Sequence, residues 1–512
     1  MSQSKSRQLL LSATVTPLGL CLVESCDVVR HYGPNGNVTL HPGHRQTVDA
    51  DLSLLAGQEH VVSTATPPPL NSVEQLSGGV KATRKMLTRL LVVTTALLDL
   101  VNASLRKVEL QARQDVWPFA PLRTSGRDII DTRGHKVVYA GINWPGAADV
   151  MIPEGLQYQS ISTIVSKIKE LRMNVIRLTY AIEMIDDIFN STADSTLSGA
   201  LTRALGPENA TTILNQILTH NPDLSAETTR LQVFDAIAAE CAKQEIYVHL
   251  DNHMSKGEWC CSTSDGNGWF GDTYFNTTRW IRGLTYMSSH AFSWPAFVST
   301  ALRNEFRQPD SPSPVRENYG WKDWYPHVLA AANSINSANS DPLIFFSGLG
   351  FDTDLANVTA GLDLGNGQIF NITNSTYSDK IVFELHSYNT GYSGSCESFN
   401  MYEQGYNAMD VGEGSSAKNI APVVLTEFGY EQNSTNFKKP YPDCIKEYLT
   451  SLPGGPGGWM QWVLAGSYYV REGMQDSDET WGLFNHNWTG WRSEEAVEQF
   501  TKAFVEETLG VH

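Results

Sequence analysis

From residue 119 onward, eight short apolar, β-branched runs alternate with amphipathic stretches, and no other feature narrows the possible folds of this chain so far. The runs occupy residues 137–143, 175–180, 247–251, 297–302, 343–347, 381–385, 423–426 and 459–464. Continuous apolar runs of this length read as strands buried on both faces, the habit of parallel sheets. Between and after them, residues 160–171, 230–244, 322–336, 436–449 and 493–507 carry apolar residues at helical spacing. Eight such strands interleaved with helices predict an α/β chain closed into a (β/α)8 TIM barrel, one domain over residues 119–512 with long βα loops. A doubly wound open sheet is the competing layout. It finds no support at its first turn, where Gly141-Ile-Asn-Trp-Pro-Gly146 lacks the GxGxxG phosphate-binding form. Two stretches read as long loops, 181–226 and 252–292, rich in Gly, Asn, Ser and Thr and, in the second, Trp. On a barrel, such loops at the strand ends build the site.

The rest of the chain is of another kind. Of 51 aromatic residues only Tyr32 precedes Trp117. Large rings supply much of the buried area that drives folding, so residues 1–85 are expected to be a disordered or spurious upstream leader. Residues 86–103 have the layout of a secretory signal peptide, with Met86, Arg89, the apolar run 90–98 and a small-x-small end at Val101 and Ala103. The run is too short to span a membrane. Translation is therefore expected to start at Met86, and the mature protein to be secreted and extracellular. Eight Asn-x-Ser/Thr acceptors in the aromatic-rich part, at Asn190, Asn209, Asn276, Asn357, Asn371, Asn374, Asn433 and Asn487, agree with export as a glycoprotein. An oxidising compartment permits disulfides. The mature part has an odd set of cysteines, Cys241, Cys260, Cys261, Cys396 and Cys444, whose connectivity stays open. No CxxC or zinc spacing occurs, so no metal and no cofactor is expected.

A net charge of −18 without a basic cluster excludes partners held by phosphate neutralisation, so no nucleic acid is expected. The chemistry lies where the apolar runs stop. The second run ends at Arg177, the third at His249, Asp251 and His253, the fourth at Asn304-Glu305, the sixth at His386 and Tyr388, and the seventh at Glu427, while the eighth carries Trp462. Alternation along a strand puts His249, Asp251 and His253 on one face. Asn304 and Glu305 can both face the mouth only where the strand ends or bulges. Two carboxylates on different staves are the minimum apparatus for glycoside hydrolysis, one protonated and one ionised. Glu305 suits the acid/base, kept protonated by partial desolvation or by repulsion from Glu427. Glu427 suits the nucleophile, kept ionised by Arg177 and His386, with Tyr388 as a donor. Asn304 offers an amide to a sugar hydroxyl, and Trp462 and Trp144 offer flat surfaces for a pyranose. Trp259 and Trp269 are further candidate platforms, though packing of their loop is the stronger reading.

These residues resemble a known family. Arg177 in Asn-Val-Ile-Arg-Leu, Asp-Asn-His253, Arg-Asn-Glu305, His386-x-Tyr388, Thr-Glu427-Phe-Gly and Trp462 are similar, in order and position, to the signature of glycoside hydrolase family 5, the cellulase family. The resemblance runs from about residue 122 to 507, and the stretch from Asp251 to Asn276 looks like a plant and fungal subgroup. It implies a retaining O-glycosyl hydrolase of endo-β-glucanase type, acting on a polysaccharide or oligosaccharide, with Glu305 as acid/base and Glu427 as nucleophile. Phe306 stands where many relatives have proline, and relatives act on β-1,4-glucans, mannans or β-1,3-glucans, so the sugar stays open. A monomer is expected.

Two other readings compete. A metal-dependent barrel hydrolase would take His249, Asp251, His253 and His386 as ligands, but i to i+4 along a strand spans about 13 Å. A catalytically inactive carbohydrate-binding barrel would not need both carboxyls and their supporting groups.

Overall fold

The computed structural model describes residues 116–510, so the leader expected over 1–85 and the signal peptide expected over 86–103 lie outside the described residues. A short antiparallel hairpin, β1 (Arg123–Ser125) and β2 (Asp128–Ile130), precedes the main sheet. Eight parallel strands then follow: β3 (Ala140–Trp144), β4 (Val175–Ala181), β5 (Tyr247–Met254), β6 (Phe297–Ala301), β7 (Leu343–Ser347), β8 (Ile381–Ser387), β9 (Val423–Gly429) and β10 (Gly458–Trp462). Each pairs with its sequence neighbours, and β10 pairs with both β9 and β3. That last pairing leaves no edge and excludes the open sheet. The fold is the (β/α)8 barrel.

Helices cover the barrel because each presents one apolar face to it. Helix Ile161–Glu170 buries Ile161, Ile164, Val165 and Ile168, starts on the Ser160 side chain as N-cap, and carries Lys167 and Lys169 near its negative end. Helix Arg230–Lys243 begins with a reciprocal capping box between Thr229 and Gln232. The last segment does not run as one regular helix: Glu494–Ala496 passes through a π-helical turn, Val497–Thr501, into helix Lys502–Leu509. There Phe504 stacks on Trp459 at 4.1 Å, fastening the chain end to β10.

Two expectations need correction. Residues 181–226 are not a loop but three helices, Ile182–Ser191, Leu197–Leu205 and Pro207–His220. The polar residues that suggested a loop are caps and outer faces: the Thr196 side chain accepts from the Gly199 amide, Pro207 opens the third helix, and Leu197, Ala200, Leu201 and Leu205 turn inward. The second stretch also ends in a helix, Thr277–His290, capped by Asn276. In addition, a hairpin that hydrophobic patterning does not reveal, β11 (Ser467–Arg471) with β12 (Met474–Asp478), rises directly after β10.

Inside the barrel, composition changes with height. At the bottom Val175, Tyr247, Leu343, Phe345, Val382, Val424 and Met460 form an apolar plug, against which the β1–β2 hairpin and Trp117 close the end. Two residues further along β4, β5, β8 and β9 the inward positions become polar: Arg177 follows Val175, His249 follows Tyr247, Glu384 follows Val382 and Thr426 follows Val424. The period of two that built the plug thus delivers functional side chains to the upper layer. Among the described residues two disulfides are present, Cys260–Cys261 and Cys396–Cys444, and the remaining thiol is Cys241, buried within the helix Arg230–Lys243.

Candidate active site

The polar layer opens into a cleft of about 410 Å³ at the C-terminal ends of the strands. His253, Asn304, Glu305, Tyr388, Glu427 and Trp462 line it. Glu305 reaches the cleft because β6 stops at Ala301 and the backbone turns, with Glu305 at φ +48°. That left-handed conformation costs a non-glycine residue about 1–2 kcal/mol. It is held by the Glu305 amide, which donates to Asp352 Oδ2 at 2.7 Å. Glu427 reaches the same space through a register shift between β8 and β9, where Leu385 pairs with Leu425 but His386 pairs with Glu427. The skipped residue is Thr426, so Thr426 and Glu427 both turn inward. Gly429 closes the Thr-Glu-Phe-Gly motif because a Cβ there would stand 2.6 Å from the Trp462 carbonyl oxygen.

Arg177 organises the floor. It lies third in β4 rather than at the strand's end, completely buried. Its guanidinium donates to Asn143 Oδ1 at 2.9 Å, Glu427 Oε1 at 2.5 Å and Asn304 Oδ1 at 2.9 Å, and pairs with Asp251 at 3.0 Å. Because arginine only donates, the Asn304 oxygen must face it, which turns the Asn304 amide nitrogen toward the cleft and the Cys260 and Cys261 sulfurs at 3.5 and 3.4 Å. Burial disfavours the charge on Arg177, but attraction by Asp251 and Glu427 outweighs it and raises its pKa. Burial likewise opposes ionisation of Asp251, yet Arg177 and the His253 hydrogen bond pull it down to about 2. His253 Nδ1 lies 2.7 Å from Asp251, and the His253 ring stacks on Trp462 at 5.5 Å and 6°.

The two carboxyls differ in surroundings. Glu427 accepts from Arg177 on one oxygen and from Tyr388 at 2.8 Å on the other. The Tyr388 hydroxyl is held in its protonated form by burial and by the nearby Glu427 charge. Glu305 has no such ion pair with arginine among the described residues, and burial raises its pKa. One oxygen of each carboxyl and a ring nitrogen of His386 lie within 4.8 Å of one another. That gap is well under the roughly 6.5–9.5 Å needed to admit a water between two such groups, and matches the close spacing of about 5 Å used for direct attack.

Two assignments read from the sequence change. Trp144 is no platform: it is fully buried, and its indole nitrogen donates to the Glu154 carbonyl at 3.0 Å, because the last residue of β3 turns outward beneath the covering loop. His386 does not supply positive charge to Glu427. Its Nδ1 is 3.0 Å from Glu305 and 3.7 Å from Glu427, and burial lowers its pKa to about 4, which leaves it neutral near pH 7. Trp269 follows the stronger of its two readings, packing: it is buried in a ring cluster with Phe270, Phe306 and Tyr319. Phe306 thus serves as packing. Trp259 does line the cleft, with the Arg471 guanidinium 3.6 Å from its ring centre. The metal reading loses its ligand set. His249 is tied to Ser299 at 2.8 Å deep in the barrel, and among the described residues the close groupings of acids, histidines and cysteines at the cleft omit His249, Asp251 and His253.

Sequence reasoning missed the wall after β10. Arg471, Glu479, Thr480 and Trp481 all line the cleft, and Arg471 pairs with Glu479 at 3.3 Å. Trp481 also borders a second cavity of about 210 Å³, with Thr390, Glu431, Asn436, Lys439 and Tyr441 around it. The signal available was Gly466 to Gly482, an aromatic-rich stretch too long for a simple βα turn.

Comparison with known proteins places this geometry. The sequence model of the cellulases (glycosyl hydrolase family 5) matches residues 131–464. A glycosyl hydrolase 5 family protein from Chamaecyparis obtusa is 33% identical over 389 residues, covering 74% of this chain. The match spans 65% of that relative's own length. Among solved structures, a hyperthermophilic endocellulase from Pyrococcus horikoshii superposes with a TM-score of 0.54 at 17% identity, covering 75% of this chain and all of that one. The catalytic domain of the major endoglucanase from Xanthomonas campestris does so at 0.52 and 17%, covering 76% of this chain and all of that one. These two share the barrel.

Proposed function

The chain belongs to glycosyl hydrolase family 5, and from that premise we propose that it is a secreted retaining β-glycosidase of polysaccharides, of β-glucan or cellulose-like type. The observation that carries the reading is the pair of carboxyls, Glu305 and Glu427, with oxygens within 4.8 Å at the mouth of a closed barrel and opposite electrostatic surroundings. Glu427, gripped by Arg177 and Tyr388, attacks the anomeric carbon as the glycosidic C–O bond breaks, and Glu305 gives its proton to the departing oxygen. Water then attacks the glycosyl ester, and Glu305 takes the proton back. The sugar's flat face lies against Trp462, which His253 backs by stacking. Asn304 offers its amide N–H to a sugar hydroxyl.

A chain-like substrate fits because Trp481 walls both the catalytic cleft and the second cavity, so consecutive sugars have somewhere to lie. One Pyrococcus endocellulase structure is a complex with cellotetraose, a ligand of the shape this cleft would take. For export, the two disulfides suit an oxidising compartment. The acceptor asparagines from Asn190 to Asn487 are exposed or half-exposed, as glycan attachment requires. A mature N-terminus well before residue 90 would refute the leader assignment.

The test is incubation of the secreted protein with β-glucans, mannans and aryl β-glycosides, with product sizing and anomer analysis by NMR. The first-formed product keeps the β configuration, and Glu427→Gln binds glycan without turning it over. Inverted product, or unchanged turnover in Glu427→Gln, refutes the assignment.

A further inference from the structure

Beneath the two carboxyls lies a second layer of acid that the hydrolytic steps leave unused. Glu384 on β8 and Asp352, in the segment after β7, are completely buried. Each has one oxygen hydrogen-bonded: Asp352 Oδ2 accepts from the Glu305 amide at 2.7 Å, and Glu384 Oε2 accepts from the Thr426 hydroxyl at 3.0 Å. The other oxygens, Asp352 Oδ1 and Glu384 Oε1, are buried without a hydrogen-bond partner among the described groups.

Charge counting settles what these acids hold. Asp251, Glu305, Asp352, Glu384 and Glu427 crowd around Arg177, whose guanidinium contacts, of these five acids, only Asp251 and Glu427. Arg307, which also faces Glu305, is committed to Asp265 at 2.6 Å, and Arg303, which faces Asp251 and Asp352, gives its guanidinium hydrogens to Asn252, Ser255 and the Asn267 carbonyl. A buried carboxyl with no cation takes up a proton rather than stay charged. Asp352 and Glu384 therefore carry protons on their unpartnered oxygens, in line with the upward push that burial gives both.

Donor counting then selects a tautomer. The Thr426 hydroxyl has one hydrogen and gives it to Glu384, so toward His386 Nε2, 3.1 Å away, it must accept. The ring proton therefore sits on Nε2. On the other side of the ring Nδ1 is bare, 3.0 Å from Glu305 Oε1. A bare nitrogen only accepts, so the hydrogen in that contact belongs to Glu305. With the opposite tautomer the ring would donate to Glu305 Oε1 and so favour the Glu305 anion within 4.8 Å of Glu427, where Arg177 contacts only Glu427. Facing the ring are Arg177 from β4, Asp251 and His253 from β5, Glu305, Asp352, Glu427 from β9, and Glu384 from its own strand.

We propose that Thr426 and Glu384 are positioning residues that lock His386 in the Nε2–H tautomer, so that His386 holds the proton on Glu305 between turnovers. The inference rests on Glu305 being the acid/base, and deepens it by saying what keeps that acid loaded. Thr426 can act this way only because the β8–β9 register shift turns it inward beside Glu427.

The experiment compares wild type, Thr426→Val, Thr426→Ser and Glu384→Gln by ring-nitrogen NMR of His386 in the unliganded protein. It is paired with the pH dependence of kcat/KM on para-nitrophenyl β-cellobioside, whose basic limb reports loss of the Glu305 proton. Wild type is expected to show a neutral Nε2–H ring between about pH 5 and 8. In Thr426→Val the Nε2 proton loses its acceptor, the Nδ1–H form becomes populated and stabilises the Glu305 anion, and the basic limb moves to lower pH by about one unit. Thr426→Ser restores both readings. Glu384→Gln keeps the Nε2–H ring, because a neutral amide replaces a neutral acid and still accepts from Thr426. An Nδ1–H ring in the wild type, a Thr426→Val basic limb that stays in place, or a titrating ring in Glu384→Gln overturns the proposal. A wild type inert toward the probe overturns the hydrolase reading instead, while the NMR still decides the tautomer.

Discussion

Replacing Arg177 by methionine tests the electrostatics of the whole floor. The side chain is fully buried and meets Asp251 at 3.0 Å and Glu427 at 2.5 Å. Methionine fills similar volume but strands both carboxylates. Asp251 is pulled from 3.8 to about 2 against the opposing effect of burial, which at about 1.36 kcal/mol per unit amounts to roughly 2.5 kcal/mol from that group alone. With Glu427 also uncompensated, the total loss at pH 7 is expected at about 3–5 kcal/mol, the usual cost of breaking a buried ion pair from one side. The sign of the pH dependence follows from the depressed pKa. Asp251's contribution is complete above the unfolded value near 4, fades as pH falls toward 2, and at pH 3 stands at about half. Urea denaturation of wild type and Arg177→Met at pH 7 and pH 3 is the assay, and the stability gap should narrow at the lower pH. A loss under about 1 kcal/mol at pH 7, or a gap that does not change with pH, would refute the reasoning.

Other outcomes follow from the same geometry. Glu305→Gln, which cannot donate a proton, should lose far more activity on polysaccharide than on aryl glycosides with good leaving groups; equal losses on both would remove Glu305 from the acid role. Trp481→Ala should lower kcat/KM on long β-glucan chains while sparing a short aryl glycoside, because Trp481 borders both the cleft and the second cavity; an equal effect on both would deny the extended site. The Cys396–Cys444 bridge closes a 48-residue loop, so the double Cys396→Ser, Cys444→Ser variant should lose about 4 kcal/mol in chemical denaturation if loop entropy dominates.

Much of this site was legible in one dimension because a parallel barrel couples sequence to space simply. An apolar run marks a strand, its end marks the mouth, and alternation assigns the inward face, so Arg177, His253, Glu305, Tyr388, Glu427 and Trp462 could be named before any coordinates. Trp144 misled because an aromatic at a strand end has no mark saying which way it turns; it goes outward, under the loop that supplies Glu154. The helices within residues 182–220 were read as loop because Thr196 and the Gly206-Pro207 pair look like turn formers until the chain shows them capping helices. Phe306 and Trp269 made sense only as partners in one ring cluster.

The sequence by itself determined the barrel, its eight staves and the two carboxyls, since these depend on hydrophobic period and residue order, which are local properties of a chain. Only the tertiary structure decided which protonation states those carboxyls hold. That depends on Arg177 reaching Glu427 but not Glu305, on Thr426 being turned inward by a register shift, and on Asp352 and Glu384 being sealed from water. Charge states in a protein interior are set by neighbours within a few ångströms, and those neighbours come from four different strands, β4, β5, β8 and β9, and the segments between strands.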